Sequence, residues 1–558
     1  MNYRARPKLR SVPKTIGGDV ELANFMTGLP ADYALDVNAV SARLILAAVP
    51  GVVTAIPSVH ASVRAAAGQQ EFPVGALDED TPGFDTTQRG LQYYHPVDWG
   101  RLFLGNGGSC YIDADHPEIC VPECASALDH LTWTRAGLEI CRRAMLAANA
   151  GLAAEGGGRI RLLANNSDGR GNSYGSHINI CVTDECWSAV CLKNGPAAAF
   201  TASAFAVLAA LFGQGKAGHE AYGAPCKYQL SQRADFFNVT REFSTQWPNR
   251  GLINTRQEPH AAARHGVERM HIIPFDFALS QSAHLIKTGL LQLLFALIES
   301  GAPLPEALIL RDPVTAFQRF SRDVALKAAV PAQSGSETGI IEWFERFLDL
   351  LEGWKEGFED SVPGAGSILL HARWLSEALR ARDHSGLAAH LDGWSKLGLL
   401  KSAMSCDPAL DWSSPEIKAL DHLYASLDEE GLYLQMERAD KAMTFFSEAD
   451  LDAAIRQPPK NTRAALRARL IRVIPADHLR SLDWGEVIFD LDPGGRPVRL
   501  AMPPPWAHGL DTPAGRAGDY SKLCAAVNAG ASFEPHHHHE PDTTDTHRTD
   551  HPRPATLR

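Results

Sequence analysis

The sequence predicts an α+β protein in which strands and helices alternate along a large N-terminal part, followed by a smaller C-terminal unit. Three observations lead there. Period-two alternation of apolar and polar residues marks strands at 15–25, 109–119, 159–164 and 176–182. Apolar residues recur at every third and fourth position over 127–150 and again over 281–300, the pattern of helices laid with one face on a sheet. Of the 558 residues, 45% are hydrophobic and 21% charged, which supports a large core and excludes a disordered or fibrous chain.

Residues 1–14 are basic and read as an N-terminal extension. IGGDVELANF follows them where a signal peptide would carry an apolar run, so export is not expected. Ten cysteines with no CxxC pair are too sparse for a disulfide framework and point to the cytoplasm, with most of them acting as small buried hydrophobes. The longest apolar segment, 197–213, contains Ser and Thr and falls short of the ~20 residues a bilayer span needs. It reads as a buried helix, and no membrane is expected. Fifty-three Lys and Arg against 65 Asp and Glu give a net charge of −12, which excludes a globally basic nucleic-acid binder.

A catalytic domain is expected over 15–431. Within it, 56–98 turns loop-like around ALDEDTPGFDTTQRG, a stretch long enough to be a candidate lid. Residues 432–531 read as a small C-terminal domain; in LDWGEVIFDL, Val487 and Phe489 alternate with Ile488 and Asp490. The tail, 532–558, lacks apolar periodicity and reads as disordered, its run His536 to His539 being at most an adventitious metal binder.

The chemistry concentrates in four places. Asp19 and Glu21 stand two apart on a strand, so both carboxylates leave one face. They are either solvated edge acids or ligands of a hard divalent cation such as Mg²⁺, which relieves their repulsion. In GNGGSCYIDADHPEICVPEC, Asp113, Asp115, His116, Glu118 and Glu123 fall near the end of a strand that closes in a Pro-containing turn. Two or three of these acids fit a metal shell, and one is left as base or nucleophile. In RLLANNSDGRGNSYGSHIN a Gly-rich turn delivers His177 and Asn179 to one face, Ile178 and Ile180 to the other. Arg233, Arg256, Glu258 and His260 come from YQLSQRADFF and GLINTRQEPH, where arginine forks suit phosphate or carboxylate oxygens or an ordinary salt-bridged surface. GxxxxGK[ST], a strand-borne GxGxxG and GxSxG are all missing, so a bound nucleotide must be held by acids, Mg²⁺ and arginines.

These segments, together with IGGDVELA, DWSSPEIKALDHLY and QPPKNTRAALRARL, resemble the Pup ligase and depupylase family (PafA and Dop) of the glutamine synthetase-like carboxylate-amine ligase superfamily. The resemblance implies a curved antiparallel sheet forming a cradle backed by helices, with ATP at one end and Mg²⁺ beneath its phosphates. It implies Asp19, Glu21 and Glu118 as metal ligands with His177 and His260 near the metal, and Asp113 as the catalytic aspartate. Arg233, Arg256, Arg269 and Arg463 become contacts to nucleotide phosphates or a substrate carboxylate. The partner implied is Pup, or a Pup-like small protein, and its conjugates.

Two reactions are run on that fold: ligation of the Pup C-terminal glutamate to a lysine through a glutamyl phosphate, and deamidation or depupylation. The loop piece GALDEDTPGFD and the short spacing in YIDADHPE resemble depupylases. The leading expectation is therefore an ATP- and Mg²⁺-bound amidohydrolase acting on a C-terminal glutamine amide or a glutamyl-lysine isopeptide. An ATP-consuming carboxylate-amine ligase is the alternative. Three departures stand out: Asp19 where Glu is usual, Ile178 where a Glu follows the histidine, and Ala164 where a Lys precedes NN. Ile178 predicts a lost metal or substrate contact, and with it a third reading, an inactive scaffold that binds a disordered partner.

Overall fold

The computed structural model describes residues 11–30, 35–57, 101–246, 248–256, 265–491 and 497–533. The candidate lid from residue 58 to 98 and the tail from 534 onward lie outside the described residues, as do Glu258 and His260.

A seven-stranded sheet carries the fold. Its strands are β1 (Ile16–Glu21), β3 (Ala55–Pro57), β4 (Leu102–Leu104), β5 (Ser109–Asp113), β6 (His116–Cys124), β8 (Ser176–Thr183) and β13 (Val267–Ile272). They run in the order β13-β8-β1-β6-β5-β4-β3, and every neighbouring pair is antiparallel. This is the expected antiparallel α+β architecture. The remaining strands of this part form pairs: β2 (Ala23–Thr27) with β7 (Arg159–Leu163), β9 (Lys216–Ala217) with β10 (Tyr228–Gln229), β11 (Val239–Glu242) with β12 (Gly251–Asn254), and β14 (Ala329–Pro331) with β15 (Glu337–Gly339).

Two expected strands prove to be composite. The run at 15–25 divides at Leu22, whose N–H is taken by the Pro117 carbonyl at 2.9 Å, so β1 stays in the large sheet and β2 leaves it for β7. The run at 109–119 is a hairpin. Ala114 and Asp115 form its two-residue turn with φ of 44° and 67°, the left-handed pair that matches the twist of adjoining strands. The two prolines, 117 and 122, sit inside β6 rather than at the turn. Between Ile16 and Gly18 of β1 the register with β6 slips from Cys124 to Val121, a bulge that accommodates Pro122, which has no N–H to give the ladder.

One face of the sheet is covered by helices. Ile16, Ile178, Ile180, Val182, Met270 and Ile272 pack on the helices Pro196–Leu211 and Gln281–Glu299. Val20, Leu22 and Ile119 pack on the helix Ala127–Ala154. The apolar run expected as a buried helix is the helix Pro196–Leu211, buried at nearly every position. The helix Gln281–Glu299 is long and apolar enough to cross a membrane by length and composition, but 94% of its apolar window is buried inside the fold. Beyond Ala464 a separate apolar cluster forms. There the helix Ala464–Val473 packs on a three-stranded sheet of Leu479–Leu482, Glu486–Asp490 and Pro497–Ala501, with Leu466, Val487 and Phe489 fully buried. Tyr433, Ala454 and Ile455, by contrast, belong to the core under β1 and β6.

Candidate active site

Burial along β1 alternates strictly: Ile16, Gly18 and Val20 face the helices, while Gly17, Asp19 and Glu21 face the open side of the sheet. Register then fixes their neighbours. Glu21 stands opposite Glu118, Asp19 opposite Cys120 on one side and His177 on the other, and Tyr111 opposite Glu118. On the far strand Arg269 and His271 lie opposite Cys181 and Asn179. The open face is thus a continuous polar surface over a cavity of about 990 Å³, lined also by Arg233, Arg250, Arg256 and Arg463.

Three carboxylates converge at its centre. Ligand oxygens of Glu21, Asp113 and Glu118 all lie within 4.8 Å of one another. Glu21 accepts a hydrogen bond from the Gly175 N–H, and Glu118 accepts one from the Tyr111 hydroxyl. Gly175 is required by this approach, because a Cβ there would stand 2.8 Å from the His177 ring and 3.2 Å from the Glu21 carboxyl carbon. Burial first, and then the neighbouring charge of Glu21, push the Asp113 carboxyl up to about 7. Burial and the charges of Asp19, Asp113 and Glu21 raise Glu118 well above the usual carboxyl range. Like charges placed directly across strands destabilise a sheet, so this cluster is one that a hard divalent cation would relieve.

Asp19 stands apart from it. His177 Nδ1 lies 2.6 Å from one Asp19 oxygen, and Asn179 Nδ2 donates to the other at 3.2 Å. Burial resists ionisation of Asp19, yet His177 and Arg269 hold its carboxyl below the ordinary range. Asn179 Oδ1 in turn accepts from Arg269 Nη1 at 3.0 Å, and the His177 ring meets His271 edge-on at 4.9 Å between centroids.

The other end of the cavity is cationic. Arg233 and Arg250 are both buried, and their guanidinium groups lie 5.6 and 5.8 Å from the Phe237 ring centre. Burial pulls Arg233 down to about 9, with the charge of Arg250 adding to it, and burial pulls Arg250 down to about 10. Among the described residues neither has a carboxylate ion pair; Arg233 Nη1 donates to the Tyr174 carbonyl. Two buried guanidinium groups side by side, neither in a carboxylate ion pair among the described residues, suit an anion brought by a ligand.

Several expectations change. Ile178 is 4% exposed and packs in the core, so the residue at 178 cannot reach the open face and its identity removes no metal contact. Glu123 is not part of a metal shell, for it is engaged by Arg463 and Arg467. His116 Nδ1 is paired with Asn24 Oδ1 at 2.7 Å. Among the cavity residues that escaped the sequence reading are Tyr111, Arg250, His271 and Trp484. Tyr111 and His271 each sit two residues from a site candidate, Asp113 and Arg269, so period-two alternation alone would have found them. Arg250 and Trp484 carry no such signal.

Comparison with known proteins is consistent with this geometry. The sequence model of the Pup-ligase protein family matches residues 31–488. The chain is 32% identical over 436 residues to the Pup deamidase/depupylase of Mycolicibacterium smegmatis, spanning 77% of this chain and 84% of that protein.

The chain belongs to the Pup-ligase family.

Relatives of the family carry both names. The Pup–protein ligase of Acidimicrobium ferrooxidans is 31% identical over 445 residues, with 76% of this chain and 94% of the relative covered. Among solved structures, the complex between Pup and its ligase PafA superposes with a TM-score of 0.69 at 20% identity, over 93% of this chain and 94% of that one. The Pup ligase PafA in complex with ADP gives 0.66 at 22%, over 80% and 93%. The family match begins after β1, so the positions of Asp19 and Glu21 rest on the strand register.

Proposed function

We propose that this chain binds Mg-ATP on the open face of the sheet and hydrolyses an amide at the C-terminal glutamyl side chain of Pup or a Pup-like protein, either a glutamine amide or a glutamyl-lysine isopeptide. The observation that carries the reading is the convergence of Asp113 with Glu21 and Glu118, whose ligand oxygens lie within 4.8 Å of one another on the open face. Two of the carboxylates can hold the metal while the third, on the turn end of its hairpin, is left to act as base.

The donor set fits the cofactor. Glu21 and Glu118 would hold Mg²⁺, with Asp19 and His177 behind them. Arg233, Arg250, Arg256, Arg269 and Arg463 line the cavity where the phosphates or a substrate carboxylate would lie. The bound metal and nucleotide supply charge neutralisation and a template for the glutamyl group. An Asp113 carboxylate oxygen removes a proton from water as the oxygen of that water adds to the amide carbonyl. The same carboxyl then returns the proton to the departing nitrogen, so ammonia or the lysine amine leaves neutral. His177 keeps Asp19 ionised, and Gly175 N–H and Tyr111 O–H fix the two glutamates. The ten cysteines are all free thiols, which supports a reducing cytoplasmic setting.

A specific observation also favours a second reading. Relatives named Pup–protein ligase match almost as well as those named depupylase, and the same Asp113 would accept the proton of an incoming lysine amine. The hydrolytic direction is supported by the depupylase-like spacing of YIDADHPE, closed by a two-residue turn. Incubation with Pup ending in Gln and then in Glu separates the two. A hydrolase releases ammonia from the first with little ATP consumed; a ligase releases ADP and phosphate in step with conjugation of the second. Asp113→Asn should abolish either reaction while leaving nucleotide binding intact, and turnover surviving in that variant would refute the assignment.

A further inference from the structure

Of the three converging carboxylates, Asp113 is the one least secured by the sheet. Strand β4 pairs with Ser109 and Cys110 of β5, so among the described residues Tyr111–Asp113 have only β6 as a neighbouring strand. Asp113 is also the last residue of β5. Where its carboxyl stands is therefore set by the turn that follows. There Ala114 and Asp115 both have positive φ, 44° and 67°, a conformation that Asp tolerates and Ala rarely adopts. A contact from outside the hairpin is needed to hold it.

Asn24 makes that contact. β1 and β6 pair as far as Glu21 and Glu118, and the Leu22 N–H reaches the Pro117 carbonyl at 2.9 Å. Continued past that point, the same register would set Asn24 against Asp115. The backbone leaves for β7 instead, and the Asn24 side chain supplies the link. Its Nδ2 donates to the Asp115 carbonyl at 3.2 Å, and its Oδ1 accepts from His116 Nδ1 at 2.7 Å. The same Nδ2 donates to the Asn38 carbonyl at 2.7 Å and to Ser41 Oγ at 2.6 Å, both on the helix Val37–Ala48. Two carbonyl partners fix which end of the amide is nitrogen and so make His116 Nδ1 the donor. Asn24 is 3% exposed, and a buried amide with this many partners is a rigid joint. It does not itself line the cavity, whereas Ala114, Asp115 and His116 do.

We infer that Asn24 is a positioning residue, which ties the left-handed Ala114–Asp115 turn to the helix Val37–Ala48 and thereby holds Asp113 against Glu21 and Glu118. This rests on the assignment of Asp113 as the base.

Steady-state ammonia release by the full chain from Pup ending in Gln tests it, on variants shown folded by circular dichroism. Asn24→Ala should lower kcat about tenfold or more, because misplacing a reacting group costs rate steeply, while KM for Pup and calorimetric Mg-ATP affinity stay within about threefold. Ala114→Asn puts a residue suited to positive φ at an exposed turn position. Added to Asn24→Ala, it should recover most of the lost kcat. If Asn24→Ala does not fold, Asn24→Asp keeps the shape and the acceptor for His116 but not the donor to the turn, and should show the same loss and the same recovery. Wild-type kcat in a folded Asn24 variant, a matching loss of Mg-ATP affinity, or no recovery on adding Ala114→Asn each overturns the inference and leaves the function standing. If the wild type releases no ammonia, conjugation of Pup ending in Glu becomes the readout, with the same pattern expected. A wild type inactive in both assays overturns the function together with the inference.

Discussion

His177 Nδ1 lies 2.6 Å from one oxygen of Asp19, and Asn179 donates to the other at 3.2 Å. The pair holds Asp19 apart from Glu21, Asp113 and Glu118, whose ligand oxygens lie within 4.8 Å of one another, so these acids are divided into a group of three and one that already has hydrogen-bonding partners. Metal dependence should reflect that division. Glu21→Gln and Glu118→Gln should each raise the Mg²⁺ concentration for half-maximal nucleotide binding by about tenfold or more, whereas Asp19→Asn should raise it by only about threefold. A Mg²⁺ titration at fixed ATP measures all three.

The pH behaviour of the metal-free protein follows from Asp113. Its folded carboxyl is a weaker acid than the unfolded one, with a pKa of about 7 against 3.8. Its bound proton therefore stabilises the fold fully below 3.8, and that contribution is lost as pH rises through about 7. In chelator, the melting temperature should fall across this interval, and Asp113→Asn should flatten the slope. Melting curves at half-unit pH steps check it, and Mg²⁺ should restore stability at the alkaline end.

The Arg233 charge is buried with no carboxylate ion pair among the described residues, and burial outweighs the favourable charges of Asp276 and Glu21. Arg233→Met should melt at the same temperature as wild type or higher without ligand. It should lose most of the Mg-ATP-induced rise in melting temperature that wild type shows. A thermal shift assay with and without Mg-ATP reads both effects from one sample.

Gly175 is held between the His177 ring and the Glu21 carboxyl. Gly175→Ala must displace the His177 ring or the Glu21 carboxylate, which accepts from the Gly175 N–H. The variant should fold and lose about tenfold in Mg²⁺ affinity, the usual cost of disturbing a group that orients a metal ligand. Calorimetry with Mg²⁺ at saturating ATP provides the measurement.

Alternation and motif were enough to read most of the site. Asp19 with Glu21, and His177 with Asn179, occupy one face because a strand has period two, and the sequence shows this without coordinates. The two composite strands were not legible. Their breaks at Leu22 and at Ala114–Asp115 lack the Gly or Asn that usually announces a turn, and they are imposed by pairing with Pro117 and by the twist of the hairpin.

What the sequence by itself determined is the local side on which each group leaves its strand, and the family to which those groups belong. What only the tertiary structure decided is register and parity across strands. Register sets Glu21 against Glu118 and brings Asp113 to both, and a one-residue bulge turns Glu123 from the core to the cavity. The physical reason is that facing is set by neighbouring residues along one strand, whereas convergence depends on hydrogen-bonded partners about ninety residues or more away, which no local pattern encodes.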